Sequence, residues 1–206
     1  KWLRDKHPDS YMLLNHPSRY AGKYTVAQLR EMNDLAPDVF FAIEGMVGNQ
    51  MEPDRGGYAT AYTNAFLPNR TYGGVDYLVA HLGGTWDALL GEGRRIWTVA
   101  DSDFHFRTAS GLYSSGYAPG EYAKTHVWKD GKDMASVVAG LKSGRVFGVF
   151  GDLIDALDFQ AKGAGGAVHM GGELKAAKGE RVEVTIRFRS PDSNNYEYPI
   201  ESGNPT

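Results

Sequence analysis

The sequence predicts an α/β fold built on a parallel sheet, either open or closed as an α/β barrel, with a β-rich segment following from about residue 155. Three observations lead there. Short apolar runs bounded by turn residues, "YMLLN", "DVFFAIE" and "RRIWTVA", read as strands buried on both faces. Between them lie stretches with a 3.6-residue apolar period, the pattern of crossover helices. Past residue 155 the chain becomes Gly-rich, and "RVEVTIRFR" alternates polar with apolar as a half-exposed antiparallel strand does.

Each element has its own justification. "YMLLN" (11–15) is closed by the turn "HPSR", which leaves His16 at the C-terminal tip of the strand. In "TVAQLREMNDLAP", Thr25 and Gln28 make a capping box, Val26, Leu29, Met32 or Asn33, and Leu35 form an apolar stripe, and Pro37 ends the helix. "DVFFAIE" (38–44) carries Glu44 at its tip. "GGVDYLVAHLGGTWDALLGEG" reads as two short helices, the second capped by Thr85 and stopped by Gly91 and Gly93. "RRIWTVA" (94–100) ends in Asp101, Asp103 and His105. "KDMASVVAGLKSG" sets Met134, Val137, Val138 and Leu141 on one helical face, with Asp133 as cap and Gly144 just past the end, and "RVFGVFG" follows as a strand. No repeat of solenoid period is present, and the Gly-Ala stretch 163–167 reads as a turn or loop.

Composition narrows the function. The 206 residues, 42% hydrophobic and 23% charged, are those of an ordinary globular chain of one or two domains. A formal net charge of -3 and the lack of any Lys/Arg-rich run with interleaved aromatics argue against a nucleic-acid surface. No apolar run approaches the roughly 18 residues that a membrane span takes. With no cysteine, the chain has neither a disulfide nor a thiolate, so any metal must be held by His and carboxylate side chains. Small or phosphorylated ligands fit this balance better than polyanions do.

In parallel α/β folds ligands bind outside the carboxyl ends of the strands, and His16, Glu44 and the "DSDFH" group all fall at such ends. In an extended segment Asp103 and His105 leave the same face and reach one metal cluster, and imidazole with carboxylate suits Zn²⁺, Mn²⁺ or Fe²⁺. The plainer reading of D-x-H is an Asx-turn beside a solvated histidine. Glu44 is a site carboxyl, a solvated strand end, or the partner of Arg19. Arg19 and Arg107, each just past a candidate ligand, are placed to hold an anionic substrate group or else are solvated surface residues. His81 reads as a surface residue or a helix C-cap, and His7, His126 and His169 read as structural.

Taken together, "LLNHPSR", "FFAIEGMVGN" and "VADSDFH", in that order, resemble the His-Pro motif, the following "iE" element and the "GSDxH" motif of PHP (polymerase and histidinol phosphatase) metallohydrolases. "WDALLGEGRRI" and "GEYAKTHVWK…VVAGLKSGRVFGVFG" are similar to the carbaryl-hydrolase-like branch, over about residues 10–160. The resemblance implies a distorted seven-stranded β/α barrel, partial and missing its N-terminal strands, over residues 1–154, and a truncated β-sandwich-like domain over 155–206. It implies two or three divalent ions (Zn, Mn or Fe) with His16, Asp103 and His105 as ligands. Glu44 lies beside the site as a near-site catalytic candidate, not as the bridging carboxylate.

The implied activity is metal-dependent hydrolysis of a small-molecule phosphate ester by metal-activated water. The alternatives are carbamate or amide hydrolysis at the same metals, and a non-catalytic glycan-binding module on a degenerate scaffold. Residues 1–15 hold no counterpart of the family's opening "HxH" strand. The resemblance therefore also implies an upstream segment of the same protein that carries it, and a chain that is not a stable monomer alone.

Overall fold

The computed structural model describes residues 1–7, 9–18, 24–47, 75–103, 120, 123–151 and 153–191. After a short helix α1 (Trp2–Lys6), strands β1 (Met12–Leu14), β2 (Phe40–Val47) and β3 (Trp97–Asp101) form one parallel sheet in the order β1-β2-β3. Helix α2 (Val26–Leu35) joins β1 to β2, and the short helices α3 (Tyr77–Ala80) and α4 (Thr85–Gly91) precede β3. These are the apolar runs and periodic stretches of the sequence, in parallel array.

The sheet is covered on both faces. Leu14, Phe40, Ile43 and Ile96 meet Leu29 of α2, Leu78 of α3 and Leu89 of α4 in one core, while Phe41, Ala42 and Val99 form a second with Leu13, Trp97 and Leu141 around it. Burial of each such side chain stabilises the fold by about 1.5–3 kcal/mol, which is why β2, feeding both cores, takes the centre. Capping follows the sequence at α2: Gln28 N donates to Thr25 Oγ1 (3.2 Å) and Thr25 N to Gln28 Oε1 (2.9 Å). The apolar stripe of α2 stops earlier than its spacing implies, since Leu35 is 42% exposed. Asn33 is buried instead, with its amide donating to Phe40 O (2.9 Å) and accepting from Arg94 Nη1 (3.0 Å).

At α4 the expected cap is displaced by one residue. Thr85 is the first helical residue and Gly84 the cap, because any Cβ at Gly84 would stand 2.6 Å from His81 O. On the rim, Glu92 accepts from Arg30 and Arg94, which hold its carboxyl at about 2, and Arg94 also reaches Asp34 (2.6 Å).

The seven-stranded barrel expected for residues 1–154 is contradicted. "RVFGVFG" does form a strand, β5 (Val146–Phe150), but it pairs antiparallel with β4 (Ala123–Val127), in a sheet separate from β1-β2-β3. Trp128 N donates to Arg145 O (2.8 Å) beyond the Val127↔Val146 pair, so the connection leaves and re-enters at the same end of the ladder. Helix α5 (Met134–Ser143), capped by Asp133 and ended by Gly144 at φ 76°, is thus an excursion within a hairpin and not a crossover. The amphipathic period of a helix reports which face is buried, not to which end of a sheet it returns the chain. Thr125 joins β4 to β3, its Oγ1 accepting from Ala100 N (2.8 Å) and donating to Ala100 O (2.7 Å), so side-chain bonds replace a strand ladder there. Among the described residues are three small sheets and five short helices, with no closed ring of strands.

The sandwich-like reading is corrected as well. Among the described residues from 155 onward, β6 (Ala156–Gly163), β7 (Gly166–His169) and β8 (Glu183–Arg189) form a single antiparallel sheet in the order β7-β6-β8. The antiparallel pairing is as the sequence implies, with Leu157, Phe159 and Ala161 opposite Phe188, Ile186 and Val184, but β8 is not half-buried: Val184, Ile186 and Phe188 are all exposed. Between them Asp158 stands against Arg187 (3.4 Å) and Gln160 opposite Thr185, and Asp155, just before β6, pairs with Arg189 (2.7 Å).

Gly140 tests the docking of α5 on β4. In a helix interior Gly→Ala ordinarily stabilises by up to about 1 kcal/mol. Here the added Cβ would lie 2.5 Å from Val127 Cγ1 and 2.6 Å from Trp128 O, a backbone atom that cannot swing aside. Gly140→Ala should therefore destabilise by about 1–3 kcal/mol in urea unfolding, the opposite sign.

Candidate functional site

Three parallel strands run side by side, and the sequence puts polar residues at the C-terminal tips of β1 and β3. His16 follows β1, Asp101 closes β3, and Asp103 lies two residues beyond it. Glu44 is not at the end of its strand, since β2 runs on to Val47. It sits at a register shift between Glu44 and Met46, where Gly45 is the extra residue. A Cβ at Gly45 would fall 1.9 Å from Thr98 Oγ1, so only glycine lets β2 bulge against β3 there.

The bulge leaves Glu44 1% exposed, in the middle strand, between the tips of its two neighbours. A solvated strand end is thereby ruled out. Glu44 Oε2 accepts from the backbone N of His16, while Oε1 is buried with no hydrogen-bond donor. Burial, then the adjacent Asp101 carboxylate, push the Glu44 carboxyl up to about 9, with Asp103 adding to the same effect. Two carboxyls so placed cannot both ionise unless a cation separates them. Either Glu44 keeps its proton or a positive ion shares the site.

The flanking backbone is strained at two positions. Among the described residues, the non-glycine residues with left-handed φ are His16 (30°) and Asp103 (48°). Both are ligands that the motif resemblance implies, and left-handed conformations in such residues cost about 1–3 kcal/mol and collect at functional sites. The second also corrects an assumption: the chain is not extended at Asp103. Its N donates to Asp101 Oδ1 (2.8 Å), so Asp103 enters an Asx-type turn.

His105, Arg107 and Arg19 lie outside the described residues. The remaining histidines stand apart from the tips: His81 caps α3 and stacks on Tyr77, His126 stacks on Phe147, His7 packs near Trp2, and exposed His169 reaches Asp158 (3.2 Å).

A residue that sequence reasoning passed over closes the site from below. Asp76, 0% exposed, accepts from Ser18 N (3.1 Å), Ser18 Oγ (2.6 Å) and Leu78 N (2.9 Å), and its own N donates to Gly45 O (2.8 Å). Burial pushes its carboxyl up, and the bonds from Ser18 and Leu78 oppose that. The available signal was an Asp directly before the apolar helical run "YLVA", an N-cap pattern. Nothing local foretold the bond to Ser18, 58 residues earlier. Asp101, visible as the first carboxylate of "DSD", likewise gains its meaning only from Glu44 across the ladder.

Among the described residues no three His, Asp or Glu side chains are set around a single ion position. The donor chemistry nevertheless suits a divalent ion of the borderline class: a carboxyl whose ionisation burial and a neighbouring carboxylate oppose, a buried carboxyl oxygen without a donor, and an imidazole on the adjoining tip. No family model matches the chain, and no match was found among curated proteins or solved structures.

The raised Glu44 carboxyl makes a pH prediction. A folded-state value near 9 against an unfolded value near 4.5 means that the folded chain binds the extra proton. Its contribution is full below about pH 4.5 and is lost as pH rises toward 9. Metal-free protein should thus lose stability relative to Glu44→Gln by an amount on the order of 3 kcal/mol between pH 5 and pH 8. Parallel urea-unfolding curves in chelator across that range check it, and identical pH slopes would refute it.

Proposed function

We propose that the protein is a metal-dependent hydrolase of small phosphate esters whose reaction centre lies at the tips of β1, β2 and β3. The observation that carries this reading is the buried Glu44 carboxyl, with one oxygen unpartnered and a second carboxylate against it. A fold that needed Glu44 only for packing has no reason to retain that arrangement, since an apolar residue there removes the desolvation cost.

His16, Asp103 and His105 are the residues that would hold divalent ions, with Asp101 next to them. The ions would supply Lewis acidity toward the ester and lower the pKa of the attacking water. The protein's own part is proton control and orientation. The Glu44 carboxyl holds a proton in the metal-free state and, once ionised, is a base at the floor of the site. His16 is kept on the rim by its N–H bond to that same carboxyl. Arg19 and Arg107, beside the ligands in sequence, supply charge-assisted hydrogen bonds to the phosphoryl oxygens.

The experiment is hydrolysis of 4-nitrophenyl phosphate with added Mn²⁺ or Zn²⁺, alongside 4-nitrophenyl acetate and an aryl carbamate. Metal-dependent turnover of the phosphate, falling at least 100-fold in Asp103→Ala and His105→Ala, is the expected result. Turnover of the carbamate or acetate alone moves the reaction to carbon centres. Turnover of none, with no metal retained on dialysis, overturns the reading.

A further inference from the structure

The turn that carries His16 is held at both ends, and the downstream holder is Asp76. His16 adopts φ 30°, which a β-carbon disfavours, so the segment His16-Pro17-Ser18 persists only if its surroundings impose it. Upstream, His16 N is fixed by the Glu44 carboxyl. Downstream, Ser18 gives both its N–H (3.1 Å) and its hydroxyl (2.6 Å) to the Asp76 carboxylate. Asp76 in turn is anchored to β2 through Gly45 O (2.8 Å), one residue past Glu44. A closed circuit results, running from Glu44 through Gly45, Asp76, Ser18 and Pro17 to His16 and back.

Capping alone does not account for Asp76. An N-cap needs one acceptor for an N–H of the first turn, and the Leu78 N bond to Oδ1 (2.9 Å) already meets that. Oδ2 is given wholly to Ser18 N, and Oδ1 takes the Ser18 hydroxyl as well, while that hydroxyl oxygen itself accepts from Leu78 N (2.9 Å). Three of the four bonds in this knot involve Ser18, so the knot is built around the turn that follows His16.

We propose that Asp76 is a positioning residue for the metal site, acting through Ser18 to hold His16 in ligating position. This rests on the reading of His16 as a metal ligand.

The test uses Co²⁺ alone as the probe, with the full chain. Asp76→Asn keeps one oxygen for Leu78 N and the Ser18 hydroxyl but turns an NH₂ group toward Ser18 N–H, so it cuts the turn bond and spares the cap. Ser18→Ala removes the hydroxyl and leaves the carboxylate cap in place. Each should weaken Co²⁺ binding about tenfold by calorimetry, the usual loss when an outer-shell partner is removed. At saturating Co²⁺ the visible d–d spectrum of Asp76→Asn should move toward that of His16→Ala, a change that simple loss of folded protein does not produce. The double variant His16→Ala/Asp76→Asn should bind no more weakly than His16→Ala alone.

Wild-type affinity and spectrum in Asp76→Asn and Ser18→Ala, with cooperative thermal unfolding intact, would reduce Asp76 to a helix cap and overturn the proposal. If Asp76→Asn fails to fold, Ser18→Ala decides. A wild-type chain that binds no Co²⁺, or a His16→Ala variant that binds it equally well, overturns the metal reading itself and the proposal with it.

Discussion

A carboxyl group buried in the central strand of a parallel sheet is the constraint around which this protein is organised. Charge at Glu44 is disfavoured by desolvation and again by Asp101, so the side chain is tolerated only with a proton, a cation or a matched donor beside it. The structure provides one backbone donor, from His16, and leaves the second oxygen without any. Around that deficit lie the bulge at Gly45, the strained turn at His16 and the Asx-type turn at Asp103. Each is unfavourable locally, and each is held by the same few hydrogen bonds.

The sheet can carry this load because its two faces are packed independently. Helices α2, α3 and α4 close one core and α5 closes the other, so β2 is immobilised by apolar contacts below the tips. At the opposite end of the sheet polarity is balanced: Arg30, Glu92, Arg94 and Asp34 pair with one another at the rim. Such exposed pairs add little stability individually, but they leave no comparable excess of like charge. The C-terminal end, where burial and the neighbouring Asp101 and Asp103 oppose ionisation of Glu44, is where the molecule retains electrostatic stress.

The parts of this arrangement differ in how legible they are. Strands β1, β2 and β3 are short apolar runs with turn residues at their ends, and helices α2 and α5 carry their caps in plain view at Thr25, Asp133 and Gly144. These signals act over three or four residues, which is the range that sequence patterns encode well. Strand β4 has no such signature: "AKTHV" is neither strictly alternating nor continuously apolar, and its pairing with β5 is made across a helix. The motif resemblance filled that gap with a barrel, whereas the Trp128–Arg145 closure makes a hairpin.

At the site the same division holds. His16 and Asp103 were nameable because parallel α/β architecture sends functional residues to strand tips, and Glu44 was named by the same rule although β2 runs on to Val47. Asp101 was visible at the tip of β3 but not its contact with Glu44, and Asp76 was not singled out at all, since an Asp before a helix is ordinary until its partner is known. By itself the sequence determined which segments bury their side chains, where helices begin and end, and which residue types can answer a metal or a phosphate. Only the tertiary structure decided that β5 runs against β4, that Glu44 is sealed from water, and that Asp76 meets Ser18. Those outcomes depend on contacts between residues tens of positions apart, whose energy comes from burial and hydrogen bonding in three dimensions and leaves no periodic trace along the chain.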